Sequence, residues 1–196
     1  ALGIEKAVTL PLALVLSLVL YGWITRQNLK EYCGLCPSTV PESRLMWYFP
    51  LGALASVNLW FGVTMNFSVL ETVLYVASML CVGFLEEVIF RGLLFKAMMP
   101  LGLKTAVAVS SLTFGMGHII NLLTGAPLLD TLLQLMYATA VGFCFTAMFL
   151  TTGSILPCIL SHAAVNCMSI FAIEPGPVVK LITALIQTAL GLGYGL

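Results

Sequence analysis

The chain has 196 residues, of which 60% are hydrophobic and 8% are charged, and its formal net charge is zero. Soluble domains carry about a quarter charged residues, so this chain has too few charges to cover a water-soluble globule, and we expect a lipid bilayer to solvate much of it. No basic patch with interleaved aromatic residues occurs, so we expect no nucleic-acid partner. The length fits a single integral membrane domain over residues 1–196.

Long apolar runs follow one another along the whole chain. A helix needs about 20 mostly apolar residues to cross the hydrocarbon core of a bilayer. Runs of about that size occur at 7–25, 47–66, 70–99, 103–121, 128–150, 154–173 and 177–195. The alternating pattern of barrel strands is absent, and in lipid only helices or closed barrels satisfy every backbone group. The sequence therefore predicts an all-α, polytopic membrane helix bundle with about seven transmembrane helices, within a range of six to eight.

The six cysteines fall into two groups. Four of them lie inside apolar runs, where a cysteine behaves as a small buried hydrophobic residue; they are Cys81, Cys144, Cys158 and Cys167. Cys33 and Cys36 form a C-x-x-C pair in the polar segment after the first run. A redox pair, half of a metal site and a chance spacing all remain open for this pair, because no second pair or nearby histidine completes a zinc site.

Two further features are interpreted as structural or accidental. Asp130 lies near the start of the fifth run, where an acidic side chain interacts favourably with the helix dipole. Gly191 and Gly195 have the G-x-x-x-G spacing of a helix-packing face. The tail of the chain is rich in glycine, so we interpret this second spacing as chance.

Ionisable side chains inside membrane spans are costly and usually functional. In this chain they concentrate in three of the predicted spans. The third run carries Glu86, Glu87 and Arg91, the fourth carries His118, and the sixth carries His162 with Asn166 one turn later. His118 and His162 are the two histidines of the chain, and both fall within predicted spans.

Helical geometry separates the two adjacent carboxylates. Glu87 and Arg91 are four residues apart, so they lie on one face of a helix and can form an ion pair. Glu86 is displaced from Arg91 by about 140° around the helix. One carboxylate can therefore be neutralised locally while the other remains available as a general base.

These residue types supply what peptide hydrolysis in a membrane requires: a water, a base, and donors for the developing oxyanion. Glu86 with His118 can activate the water, and His162 with Asn166, which share one helix face, can donate to the oxyanion. Each group also has a purely structural interpretation, as an ion-pair cluster, a packing histidine or an interhelical polar clamp. Their coincidence on three separate helices favours a site. Neither a G-x-S-x-G nor an H-E-x-x-H motif is present.

Three motifs in order along the chain resemble a known family, the type II CAAX prenyl proteases and bacteriocin-processing (Abi, or CPBP) membrane proteases. The motifs are Glu86-Glu87-x-x-x-Arg91, Phe114-x-x-x-His118 and His162-x-x-x-Asn166. The resemblance covers residues 70–170, which we take as the protease motif core of the domain.

The resemblance implies a glutamate-dependent intramembrane endopeptidase that acts on membrane-associated or peptide substrates, in CAAX-type or bacteriocin-related processing. Glu86 and His118 fall on the water-activating positions, and His162 and Asn166 on the oxyanion-stabilising ones. The supporting positions fall on Glu87, Arg91 and Phe114. We expect no cofactor and no metal ion. The implied location is a multi-pass position in the plasma membrane of a prokaryote or the endoplasmic reticulum of a eukaryote.

Three other functions use the same residues. A zinc protease would employ Glu86, His118 and His162 as ligands with an open fourth position. A proton-coupled transporter would employ the intramembrane glutamate and histidines as a relay. A non-catalytic membrane scaffold would have kept the fold without the chemistry.

Overall fold

The computed structural model describes residues 4–41, 44 and 48–195. Within these ranges the secondary structure is helical, apart from an isolated β-bridge between Val63 and Ala172. The helices are α1 (Ile4–Arg26), α2 (Phe49–Ser56), α3 (Val69–Glu87), α4 (Leu103–Gly117), α5 (Leu128–Thr152), α6 (Leu156–Ser169) and α7 (Pro177–Gly195). The predicted all-α helix bundle is confirmed.

Three of the helices continue in a different helical form. A 3₁₀ turn, Val57–Leu59, extends α2, and a longer 3₁₀ segment, His118–Thr124, extends α4. After α3 the chain forms a π-helical segment, Val88–Phe95, and then runs on in helical form to Leu101. Two of these changes of form, at Val88 and at His118, fall within one or two residues of the predicted site residues.

Among the described residues, five helices are long and apolar enough to cross a membrane, namely α1, α3, α4, α5 and α7, with α3 and α4 counted together with their extensions. The run 154–173 forms a helix of 14 residues, which rises about 21 Å against a hydrocarbon core of about 30 Å. The run 47–66 forms only α2 and its 3₁₀ turn, and its helical part ends at Leu59. The first residue of this run lies outside the described residues. The predicted full-length spans at these two places are therefore wrong.

The run 47–66 stops being helical for local reasons. Asn58 donates from its amide to the carbonyl oxygen of Val165 at 2.8 Å, which ties the end of this segment to α6. Gly62 then adopts a φ of 105°, a conformation that only glycine enters readily. A polar anchor followed by a left-handed residue ends the helix, whereas apolar composition alone predicts that it continues.

Helices α5 and α7 pack directly on each other through glycine. A Cβ atom on Gly191 would lie 2.5 Å from the backbone of Ala140, and one on Gly195 would lie 2.5 Å from the Cβ of Phe143. Small residues at such contacts let two helix backbones approach closely. The interpretation of this G-x-x-x-G spacing as chance is therefore wrong.

The close approach of α5 and α7 leads to a matched pair of variants. Gly191→Ala should lower the melting temperature in lipid nanodiscs, because overpacking costs about 1–3 kcal/mol. Gly193→Ala is the control, because a Cβ there meets nothing within 4 Å, and we expect it to be neutral or slightly stabilising. Equal melting temperatures for the two variants would contradict this packing.

The segment that follows α1 packs under the π-helical segment. Cys33 is fully buried, and a Cβ on Gly92 would lie 3.2 Å from the Cβ of Cys33. Cys36 donates a weak hydrogen bond from Sγ to the carbonyl oxygen of Gly153 at 3.5 Å, and both cysteines are free thiols. Burial raises the pKa of the Cys33 thiol, and the nearby charge of Lys96 only partly offsets this effect. A raised pKa disfavours a reactive thiolate, so the geometry indicates a packing role for Cys33.

Candidate active site

Helices α3 and α6 come into close contact at a glycine one turn before the adjacent carboxylates. A Cβ on Gly83 would lie 3.0 Å from the backbone nitrogen of Ala163, so a larger side chain there would push the helices apart. Residues four apart share one face of a helix, which places Glu87 on the same face of α3 as Gly83. The contact therefore brings Glu87 to His162, the neighbour of Ala163.

Glu87 is the centre of a buried polar cluster. Its Oε1 atom accepts hydrogen bonds from Nη1 of Arg91 at 3.0 Å and from Nδ1 of His162 at 2.9 Å. The side chains of Glu87 and Arg91 are both 0% exposed. The predicted pairing of Glu87 with Arg91 is confirmed. The bond from His162 to Glu87 was not predicted, because it joins residues far apart in the sequence.

Aromatic rings enclose the Arg91 guanidinium. Its Cζ atom lies 4.1 Å from the ring centroid of Phe114 and 5.4 Å from that of Phe145. Phe114 also meets both histidines edge to face, at 5.6 Å from the ring of His118 and 5.5 Å from that of His162. Phe114 thus contacts Arg91 and both histidines. Phe145 completes the enclosure and was not predicted.

The π-helical segment is anchored to the neighbouring helix. Ser110 on α4 donates from its hydroxyl to the carbonyl oxygen of Phe90 at 2.8 Å. A π-helical turn leaves backbone groups without their usual partners and often marks a functional site. Because Arg91 follows Phe90 directly, this bond fixes the backbone that carries the guanidinium.

Glu86 has a different environment from its neighbour. Its side chain is 33% exposed, and its Oε2 atom lies 3.8 Å from Nε2 of His162. It lines a cavity of about 330 Å³ together with His118 and Asn166. Glu86 therefore faces an open space, while Glu87 is buried against Arg91.

A second, smaller cavity of about 70 Å³ continues from the first. His118, His162 and Asn166 line it, and it shares His118, Asn166, Phe114 and Gln134 with the larger cavity. A cavity of this size has room for more than one water molecule. The structure thus brings together all four of the residues predicted as catalytic.

The hydrogen bonds of the two histidines determine which ring nitrogen carries a proton. Nδ1 of His118 lies 3.2 Å from the carbonyl oxygen of Phe114, and a carbonyl can only accept, so Nδ1 donates and Nε2 of a neutral ring is an acceptor. Nδ1 of His162 likewise donates to Oε1 of the Glu87 carboxylate, at 2.9 Å. In His162, Nε2 can therefore donate only when the ring carries a second proton.

The same side chains do not form a metal-binding arrangement. Among residues 4–41, 44 and 48–195, no three His, Cys, Asp or Glu side chains converge closely enough to hold a metal ion. The hydrogen bond from His162 to Glu87 uses Nδ1, and Nε2 lies 3.8 Å from Oε2 of Glu86. The zinc arrangement of Glu86, His118 and His162 would require these side chains to move.

Sequence reasoning missed three polar residues at the site. Gln134, Tyr137 and Gln187 line the smaller cavity, and Asn121 donates from its amide to Oε1 of Gln134 at 2.7 Å. Gln134 and Gln187 lie in long apolar helices, where a buried amide is costly unless it has a partner. Their polarity inside apolar runs was the signal that could have identified them.

One comparison with known proteins identifies a family for this chain. Residues 67–168, just over half of the chain, match the family described as type II CAAX prenyl endopeptidase Rce1-like. Searches of curated proteins and of solved structures returned no significant match. The matched segment contains all three motifs, and the five long apolar helices agree with a membrane-embedded protease. The chain belongs to the Rce1-like type II CAAX prenyl endopeptidase family and is a multi-pass integral membrane protein of that protease family.

Proposed function

We propose that this chain is a glutamate-dependent intramembrane endopeptidase in which Glu86 is the general base. The observation that carries the proposal is the unequal environment of the adjacent carboxylates. Glu87 is buried and paired with Arg91 and His162, whereas Glu86 is partly exposed to a cavity that His118 and Asn166 also line. A base must reach both water and substrate, and Glu86 meets that requirement.

In the proposed reaction, Glu86 takes a proton from a water molecule that Nε2 of His118 orients as an acceptor. The resulting hydroxide attacks the carbonyl carbon of the scissile peptide bond and forms a tetrahedral oxyanion. Glu86 then delivers its proton to the amide nitrogen, the C–N bond breaks, and a new carboxyl group and a new amine leave. The base thus acts as the acid in the second step.

His162 and Asn166 are proposed to donate to the oxyanion. For His162 this requires the imidazolium form, with Nδ1 donating to Glu87 and Nε2 to the oxyanion. In that form the ring would lie between two carboxylates, with Nδ1 2.9 Å from Oε1 of Glu87 and Nε2 3.8 Å from Oε2 of Glu86. Asn166, one turn from His162, supplies the second donor.

We propose membrane-associated proteins or peptides as substrates, in CAAX-type or bacteriocin-related processing. The membrane peptidome of cells that produce the wild-type chain should differ from that of cells with Glu86→Gln, with uncleaved precursors accumulating in the variant. Glu31→Gln is the control, because Glu31 is exposed in the segment after α1. Identical peptidomes for wild type and Glu86→Gln would favour a transporter or a scaffold.

The glutamate mechanism predicts that cleavage does not depend on a bound metal. Purified chain should retain its turnover after treatment with EDTA or 1,10-phenanthroline, because water activation comes from a carboxylate. Elemental analysis of the same sample, alongside a known zinc protease, should give less than stoichiometric zinc. Loss of activity on chelation, restored by added zinc, would support the zinc mechanism instead.

A further inference from the structure

A third cavity adjoins the proposed catalytic centre. It has a volume of about 340 Å³ and lies where α5 and α7 begin, beside the segment that links α6 to α7. Gln134, Tyr137 and Gln187 line both this cavity and the 70 Å³ cavity that holds the two histidines. Its volume is within the range of ligand-binding pockets. A peptide bound at the catalytic centre can therefore extend into this third cavity.

The charges along these cavities are predominantly negative. Among the described residues, the charged side chains that line the three cavities are the carboxylates Glu86, Asp130 and Glu174 and the ammonium of Lys180. Lys180 lies 2.8 Å from Asp130 and also contacts Glu174. One ammonium thus compensates two carboxylates in the third cavity, which leaves one negative charge there. Asp130 therefore does more than interact with the dipole of α5.

Gln187 lies at the junction between the third cavity and the catalytic one. Its side chain is only 8% exposed, and it forms no hydrogen bond with another residue in the part of the chain that the structure describes. The oxygen and nitrogen of its amide are not among the fully buried polar atoms without a partner, so they face the cavity space and not the apolar core. A side-chain amide both donates and accepts, which matches the N–H and C=O groups of an extended peptide backbone.

We propose that the third cavity is a substrate subsite that takes a basic side chain, lysine or arginine, a few residues from the scissile bond. Gln187 holds the peptide backbone between that side chain and the catalytic centre. An acidic side chain or a terminal carboxylate does not fit, because Lys180 is already neutralised by two carboxylates. This inference rests on the proposed protease function and adds its substrate preference.

The test uses purified chain in lipid nanodiscs and a proteome-derived peptide library whose members retain internal lysine and arginine. Mass spectrometry of the products should show lysine and arginine enriched at one position near the cleavage site. In Asp130→Asn with Glu174→Gln, the ratio of basic to neutral cleavage should fall about three- to fivefold, the effect of a partly exposed ion pair. In Lys180→Gln the ratio of basic to neutral cleavage should rise. Simple damage to the fold would instead lower this ratio in both charge variants.

Gln187→Leu should raise KM for basic and neutral peptides by the same factor, about three- to tenfold for a lost hydrogen bond, at an unchanged melting temperature. Cleavage without basic preference, or a preference that neither charge variant alters, would overturn the subsite and leave the protease function intact. A chain that cleaves nothing in the library or in membranes would overturn both.

Discussion

Glu86→Gln should reduce peptide cleavage by at least about 10²-fold, the lower end of what a positioned acid–base group contributes. Glutamine keeps the size of glutamate and can still hydrogen-bond to water, but it cannot accept the proton that the attacking water must lose. The side chain is 33% exposed, and His162 keeps its hydrogen bond to Glu87 when the Glu86 charge is removed. We therefore expect normal insertion and a melting temperature near that of wild type.

The matched control for this variant is Glu31→Gln, the same substitution at an exposed position, which should leave turnover unchanged. Turnover should be measured on purified chain in lipid nanodiscs with a peptide identified from the membrane peptidome. Cleavage by Glu86→Gln within a few-fold of wild type would show that another group removes the proton.

Glu87→Gln should act mainly on stability. Removing this carboxylate leaves the Arg91 guanidinium unpaired in the bundle, where both side chains are 0% exposed. Breaking a buried ion pair in this way costs about 3–5 kcal/mol. The bond from His162 Nδ1 is also weakened. We expect poor expression and a melting temperature clearly below that of wild type, measured by thermal unfolding in nanodiscs.

A second substitution separates loss of the ion pair from general damage. Adding Arg91→Gln to Glu87→Gln removes the orphaned charge and should recover part of the lost melting temperature, although it does not restore the contact that orients His162. A double variant as unstable as Glu87→Gln alone would contradict the ion-pair explanation.

The sequence was sufficient to predict the class of fold and several of the polar residues that line the two cavities. Apolar runs of about 20 residues identify membrane helices because, within a bilayer, only helices and closed barrels satisfy every backbone hydrogen-bonding group. The rare polar residues inside those runs identify the site, because each is costly in lipid. The four-residue spacing of Glu87 and Arg91 was enough to predict their ion pair, since it depends on one helix alone.

Features that depend on contacts between distant segments could not be predicted in the same way. The helix that the run 47–66 forms is shorter than its composition indicates, because the Asn58 side chain bonds to the backbone of α6. The hydrogen bond from His162 to Glu87 arises from the packing of α3 on α6 through Gly83. The G-x-x-x-G contact of α7 depends on which face meets α5, and periodicity does not specify that partner.

The division of labour between Glu86 and Glu87 is tested most directly by measuring melting temperature and turnover per folded molecule for Glu86→Gln and Glu87→Gln side by side. The proposed mechanism predicts that Glu86→Gln is stable and inactive, and that Glu87→Gln is unstable while its folded fraction still cleaves peptide, at a reduced rate. A Glu87→Gln chain that is fully stable yet inactive, together with an active Glu86→Gln chain, would contradict the mechanism and identify Glu87 as the base.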